Sequence, residues 1–180
     1  MTSVKKKKCK ICKTLFPQYN SLHVVCSPKC AADHARLTRE KRERKELKEG
    51  REKLMTKSDH HALTQKAFNR WIRARDYGQV CISCQKPPKK RQAGHYRSVG
   101  AQASLRYCAS NCHLQCYHCN VELSSNSIEY RINLVKKLGV EVVEWLETDH
   151  PAKHYTIDEL IVLRARYNKL ARELEKEHDG

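Results

Sequence analysis

NCHLQCYHCN, residues Asn111 to Asn120, packs three cysteines, two histidines and two asparagines into ten positions. Cysteines spaced like Cys116 and Cys119 let neighbouring thiolates point at one ion from a tight turn, and a tetrahedral zinc site is commonly built from two such pairs. Three more close pairs occur upstream: Cys9 with Cys12, Cys26 with Cys30, and Cys81 with Cys84. Grouping by proximity in the chain predicts two Zn²⁺ sites, Cys9, Cys12, Cys26 and Cys30 as the first and Cys81, Cys84, Cys116 and Cys119 as the second. Cys108 and Cys112 are left over. With Cys116 they fall at intervals of four, so on a helix they could share a face and replace a ligand; otherwise they are small packing residues.

The rest of the composition agrees with metal-stabilised units. The chain has 180 residues, 39% hydrophobic and 31% charged, so apolar material for one large core is limited. Ten cysteines in a chain without an apolar secretory leader are unlike a disulfide framework, because cytosolic thiols stay reduced. The formal net charge of +16 points to a polyanionic partner, above all nucleic acid. No apolar run approaches the roughly 18 to 20 residues that span a bilayer. A soluble cytoplasmic protein with neither a membrane nor a small-molecule substrate is expected.

The architecture expected is α+β in four regions. Residues 1–35 form an N-terminal four-cysteine finger, two short irregular or β segments running into a helix, with KKKK at Lys5 to Lys8 leaning it toward nucleic acid. Residues 36–60 form a charged helical linker whose only leucines, Leu37, Leu47 and Leu54, are too far apart for a core-facing stripe. Pairs such as Glu40 and Arg44, or Glu49 and Lys53, support an exposed helix, and Gly50 interrupts it at about 1 kcal/mol relative to Ala. This helix reads first as a solvated spacer and second as a DNA-binding element. Residues 61–130 hold the second metal unit, led by an amphipathic helix, HALTQKAFNRWIRARD, with Leu63, Ala67, Trp71 and Ile72 on one side and Lys66, Arg70, Arg73 and Arg75 on the other. Residues 131–180 are helical, with a turn at Gly139 and a last helix announced by the capping box of Thr156 and Glu159.

The 31 residues between Cys84 and Cys116 carry the chemistry. A structural zinc loop has no need of His95 between small and aromatic neighbours in GHY, nor of a further Asn and His before the last cysteine pair. Histidine suits proton abstraction from water near neutral pH, and His95 is the candidate base. Asn111 is placed to return across a hairpin and orient it. Hydrolysis of a phosphodiester also calls for a divalent cation, Mg²⁺ or Mn²⁺, on the scissile phosphate. Asn120, directly after the last zinc cysteine, is the residue to reach it, with His113 as a second. Arg97, Arg106 and His118 are candidate phosphate contacts, as are Lys66, Arg70 and Arg73.

With these residues in place, CISC…AGHY…NCHLQCYHCN resembles the zinc-supported HNH, or ββα-metal, nuclease motif. The order of parts, an N-terminal CxxC…CSPxC finger, a charged helix, AFNRWIRARD, CISC, AGHYR, LRY, N-x-H-x-QC-x-x-CN and a terminal amphipathic helix, is more narrowly similar to the NinG (Rap) family of lambdoid phage recombination proteins. The resemblance implies an HNH-like core with His95 as general base, Asn111 as middle Asn and Asn120 as helix metal ligand. It also implies a structure-specific endonuclease acting on branched DNA of the Holliday-junction or D-loop type, in the host cytoplasm if phage-encoded. Paired cuts across a symmetric junction would call for a homodimer. The alternative is a non-catalytic zinc-containing protein that binds or anneals DNA. Two positions depart from the pattern: Gly94 stands where an acidic or His metal ligand is common, so that either Gln92, His113 or the His95 region supplies the first ligand or the metal is held more loosely, and Ser125 stands where a glycine is expected.

Overall fold

The computed structural model describes residues 6–180, so Lys5, first of the basic run, lies outside the described residues. The fold is mixed α+β, mostly helical, with two small sheets, each an antiparallel pair: β1 (Lys6–Lys8) with β2 (Leu15–Pro17), and β3 (Arg91–His95) with β4 (Cys112–Cys116). Five α-helices follow the chain as α1 (Pro28–Lys53), α2 (Lys57–Arg75), α3 (Ser127–Leu138), α4 (Val140–Glu147) and α5 (Ile157–His178). The chain divides into two compact units, residues 1–55 and 56–180.

In the first unit, β1 and β2 are joined by the turn that carries Cys9 and Cys12. The Cys9 amide donates to the Thr14 carbonyl and the Lys13 amide to the Cys9 carbonyl, with Lys13 left-handed at φ 62°. Ser27 then caps α1, its hydroxyl accepting from the Cys30 amide, and Pro28 occupies the first turn, where a missing N–H costs nothing. The cap thereby sets Cys30 beside the other three thiols. α1 runs unbroken through Gly50, with Leu37 and Leu47 exposed on it and Leu54 exposed at its C-cap. Its ion pairs among the described residues include Arg36 with Asp33 and Glu40, Arg42 with Glu46 and Lys45 with Glu49. At such exposure each contributes only a few tenths of a kcal/mol.

The second unit is built on the β3–β4 hairpin. Residues Cys81 to Lys86 repeat the earlier turn: the Cys81 amide donates to the Lys86 carbonyl, the Gln85 amide to the Cys81 carbonyl, and Gln85 is left-handed at φ 57°. β4 ends at Cys116, and Cys119 sits in the short π-helical turn His118–Glu122 that follows. The hairpin separates two apolar clusters. One joins Phe68 and Ile72 of α2 to Tyr107, Cys112, Leu160 and Tyr167, so α5 shares a core with α2. The other joins Ile82 and Leu105 to Tyr130 and Leu134 of α3 and Val143 and Leu146 of α4. Gly139, at φ 88°, makes the turn between α3 and α4. Thr156 and Glu159 form the capping box read from sequence, and Thr56 with Asp59 forms a second one at α2. Leu63 is on the outer side of α2, whose buried face is Thr64, Ala67, Phe68 and Ile72.

Arg75 is a staple rather than part of a basic face. Its guanidinium grips both oxygens of Asp76 and donates to the carbonyls of Ala109 and Cys112, while Asp76 also accepts from the Leu114 amide at 2.9 Å. Burial alone would raise the Asp76 carboxyl, but the Arg75 hydrogen bond and charge outweigh it and hold the pKa below the usual carboxylate range. A group so depressed adds stability above its unfolded pKa and loses it as pH falls through the folded value. Asp76→Ala strands Arg75 and the β4 amide, and should cost about 3–5 kcal/mol in urea unfolding at neutral pH; a loss under 1 kcal/mol would mean the contacts are dispensable.

Each unit holds one four-thiol cluster, Cys9, Cys12, Cys26 and Cys30 in the first and Cys81, Cys84, Cys116 and Cys119 in the second, with sulfurs within 4.8 Å of one another. Zinc–sulfur bonds of about 2.3 Å in a tetrahedron put sulfurs about 3.8 Å apart. The sulfur separations of 3.4 Å for Cys12 and Cys26, 3.8 Å for Cys26 and Cys30, and 3.9 Å for Cys84 and Cys116 fit that ion. Cys108 and Cys112 belong to neither cluster and pack in the apolar cores. Replacing Cys116 with Ser should halve the zinc content and unfold residues 56–180, since metal binding and folding are coupled in small sites. Elemental analysis with far-UV circular dichroism checks it; full zinc content in a folded variant would refute the cluster assignment.

Candidate functional site

β3 and β4 pair with Gly94 opposite His113 and His95 opposite Cys112. At the open end the Tyr96 amide donates to the Asn111 carbonyl at 2.8 Å, and the loop beyond is tied down by Asn111, which is fully buried. Its Oδ1 accepts from the Arg97 amide at 2.8 Å, and its Nδ2 donates to the carbonyls of Arg97 and Leu105. Asn111 therefore orders the loop of 97–105 and acts on His95 only through it. Nε2 of His95 donates to the Arg106 carbonyl at 2.9 Å, just beyond that loop. A carbonyl only accepts, so the proton is on Nε2 and Nδ1 keeps its lone pair. The nearest recorded partner of Nδ1 is the Cys112 thiol at 3.7 Å, a weak contact, and the Phe68 ring, 5.9 Å between centroids, backs the imidazole from α2. Burial, with the Arg106 charge, lowers the His95 pKa against the opposing pull of the Arg106 carbonyl.

His95 opens onto a cleft of about 560 Å³ that it shares with Arg97, Asn120, Ser124, Ser125 and Ser127. The hairpin sets His95, and the π-helical turn beyond the second thiol pair sets Asn120; the cluster joins the two. His113 does not line this cleft. It is 3% exposed, with Nδ1 3.3 Å from the Tyr130 hydroxyl, and burial lowers its pKa to about 3. It is buried among core side chains, away from the side chains that line the cleft.

Ser124, Ser125 and Asn126 are all left-handed, at φ 46°, 83° and 44°. Such backbone costs about 1–2 kcal/mol per non-glycine residue, and at Ser125 it accounts for the glycine expected there. The turn points the Ser125 carbonyl at Gln115, whose Nε2 donates to it at 2.7 Å and to the Ser83 hydroxyl at 2.7 Å. Ser125 Oγ donates to the His95 carbonyl at 3.2 Å. With Nε2 committed, Gln115 Oε1 is buried without a hydrogen-bond partner. A Cβ built on Gly94 would lie 1.8 Å from that oxygen and 2.9 Å from Oδ1 of Asn120. Gly94 therefore leaves open the space that two amide oxygens enter. Gln115 carried no role in the sequence reading, although a glutamine between Leu114 and Cys116 in a strand buried on both faces was itself a signal.

The basic candidates divide by location. Arg97 lines the cleft, and its Nε is buried without a partner. Arg106 contributes its carbonyl to His95. Lys66, Arg70 and Arg73 line a groove beside α5 with Arg164 and Asn168, outside the His95 cleft, and Arg70 pairs with Glu175. His118 is exposed beside the second thiol cluster and pairs with Glu122. Among the described residues no helix is long and apolar enough to cross a membrane.

No solved structure matches this chain. It is 31% identical over 193 residues to the protein ninG of Escherichia phage 933W, spanning 97% of this chain and 96% of that one, and 32% identical to the protein ninG of Enterobacteria phage H19B over the same extent. Against the protein ninG of Escherichia phage lambda it is 37% identical over 111 residues, 61% of this chain and 54% of the relative. The family model described as bacteriophage lambda NinG protein matches residues 1–177, so the chain belongs to the NinG family of phage proteins.

Proposed function

We propose that the protein is a metal-dependent endonuclease of the ββα-metal (HNH) type that cuts branched DNA during phage recombination, at four-way or D-loop junctions. The observation that carries this reading is one cleft shared by His95, with an unprotonated Nδ1, and Asn120. Nδ1 takes a proton from water as the water oxygen bonds to phosphorus and the bond to the leaving oxygen breaks. Asn120 is the side chain to hold Mg²⁺ or Mn²⁺, which when bound neutralises charge building on the phosphate and leaving oxygen. Arg97, which lines the same cleft, would bind that phosphate through its guanidinium. The +16 net charge, with Lys66, Arg70 and Arg73 on their own groove, supplies the sequence-independent part of DNA affinity. Recognition of a junction would then rest on shape. Two cuts across a symmetric junction would need two protomers.

The test is a labelled four-way junction beside its linear duplex, with wild type and His95→Ala, with and without Mg²⁺ or Mn²⁺. The expected result is metal-dependent cutting of the junction by the wild type, with the rate down about 10²–10⁴-fold in His95→Ala and binding nearly unchanged. Tight junction binding without product under either metal would reject the nuclease and leave a DNA-binding or annealing protein. Because the His95 pKa is lowered, its base form persists below the ordinary value of about 6.5. The acid limb of the rate profile should accordingly fall below about pH 6.5, and a limb above 7 would exclude His95 as the base.

A further inference from the structure

The geometry points to Gln115 Oε1 as a second protein ligand, beside Asn120 Oδ1, for the divalent cation, with Gly94 as the residue that makes room for both. This rests on the endonuclease reading and deepens it by naming the ligand that the glycine at position 94 leaves unassigned.

Three observations support it. Gln115 is fully buried, yet its oxygen has no hydrogen-bond partner, an arrangement costing about 1–3 kcal/mol unless something occupies it. The amide cannot be turned round to relieve this. The Ser125 carbonyl only accepts, so Nε2 must face it, and the Ser83 hydroxyl, which accepts from Gln115, donates its own proton to that carbonyl at 3.3 Å. Finally, Oε1 and Asn120 Oδ1 converge within 2.9 Å of one point above Gly94, and among the described residues neither oxygen has a recorded donor. Two convergent amide oxygens without donors repel each other, and a hard cation, which prefers oxygen ligands, removes the repulsion.

The left-handed run at Ser124 to Asn126 then has a purpose. It directs the Ser125 carbonyl that orients Gln115 and so aims Oε1 at Asn120. Where an acidic or His side chain at position 94 would supply a ligand from β3, this chain takes it from β4, and the two solutions exclude each other, since a Cβ at 94 overlaps Oε1. Both ligands being neutral, affinity without DNA is expected to be weak, with waters and a phosphate oxygen completing the shell. The rival is a plain hydrogen bond from the Asn120 amide nitrogen to Gln115 Oε1.

The experiment titrates Mn²⁺ into full-length, zinc-loaded protein without DNA to millimolar concentration, reading free Mn²⁺ by electron paramagnetic resonance and zinc by elemental analysis. Wild type should show one Mn²⁺ site above the background of Asn120→Ala. Gln115→Leu and Gly94→Ala should each weaken it by roughly tenfold or more with both zinc ions kept. Gln115→Leu that retains zinc and binds Mn²⁺ like wild type overturns the assignment, as does a wild type with no site. Should Gln115→Leu fail to fold, Asn120→Asp decides: a cation site predicts tighter Mn²⁺ binding and a melting temperature that rises with Mn²⁺, whereas the rival predicts a lowered melting temperature that Mn²⁺ does not restore. Junction cleavage separates the two proposals. Cutting with Mn²⁺ affinity indifferent to Gln115 sinks the ligand and keeps the nuclease; a Gln115-dependent site in a protein that cuts nothing does the reverse.

Discussion

Convergence of Cys81, Cys84, Cys116 and Cys119 is the constraint on which the rest of the second unit depends. β3 and β4 are only five residues each, and a two-stranded hairpin of that size is marginal in water. Four thiolates on one ion would close the segment between Cys84 and Cys116, fix the strand register at one end and fix the start of the turn that carries Asn120. A shift of one residue in β4 would move Cys116 out of the cluster and turn Gln115 to the other side of the hairpin.

At the opposite end the register is held by buried polar groups. Asp76 accepts the Leu114 amide while Arg75 spans to the carbonyls of Ala109 and Cys112, so α2 is bonded to β4 and its approach. Asn111 orders the loop after His95, and Gln115 ties β4 to the left-handed turn. Truncating any of them leaves an unpaired group in the interior, which makes these positions more sensitive than the apolar ones around them. The cleft thus lies between two braced ends, which fix the orientation of its side chains.

Much of this was legible in the chain because local chemistry dictates it. The cysteine spacings gave both clusters, Thr156 with Glu159 gave the start of α5, and Gly139 gave the α3–α4 turn. The cap at Thr56 was missed because its partner is Asp59 rather than Glu or Gln, and the helix therefore began earlier than its apolar pattern. Leu63 fell on the wrong side of α2 because Phe68, and not Trp71, sits at the centre of the buried face. Arg75 looked like one more basic residue, and only the fold shows that Asp76 beside it is buried and must be paired.

The sequence by itself determined the two four-cysteine clusters, the α+β character, the exposed charged helix and the choice of His95 and Asn120 as residues of interest, since each follows from residue type at short spacing. Tertiary structure alone decided that His113 is a core residue, that Asn111 acts through the loop, and that Gln115 reaches the space above Gly94. Those outcomes depend on strand register and on a left-handed turn ten residues further along. A side chain's partner across a hairpin is set by the fold of both strands and cannot be read from its neighbours in the chain.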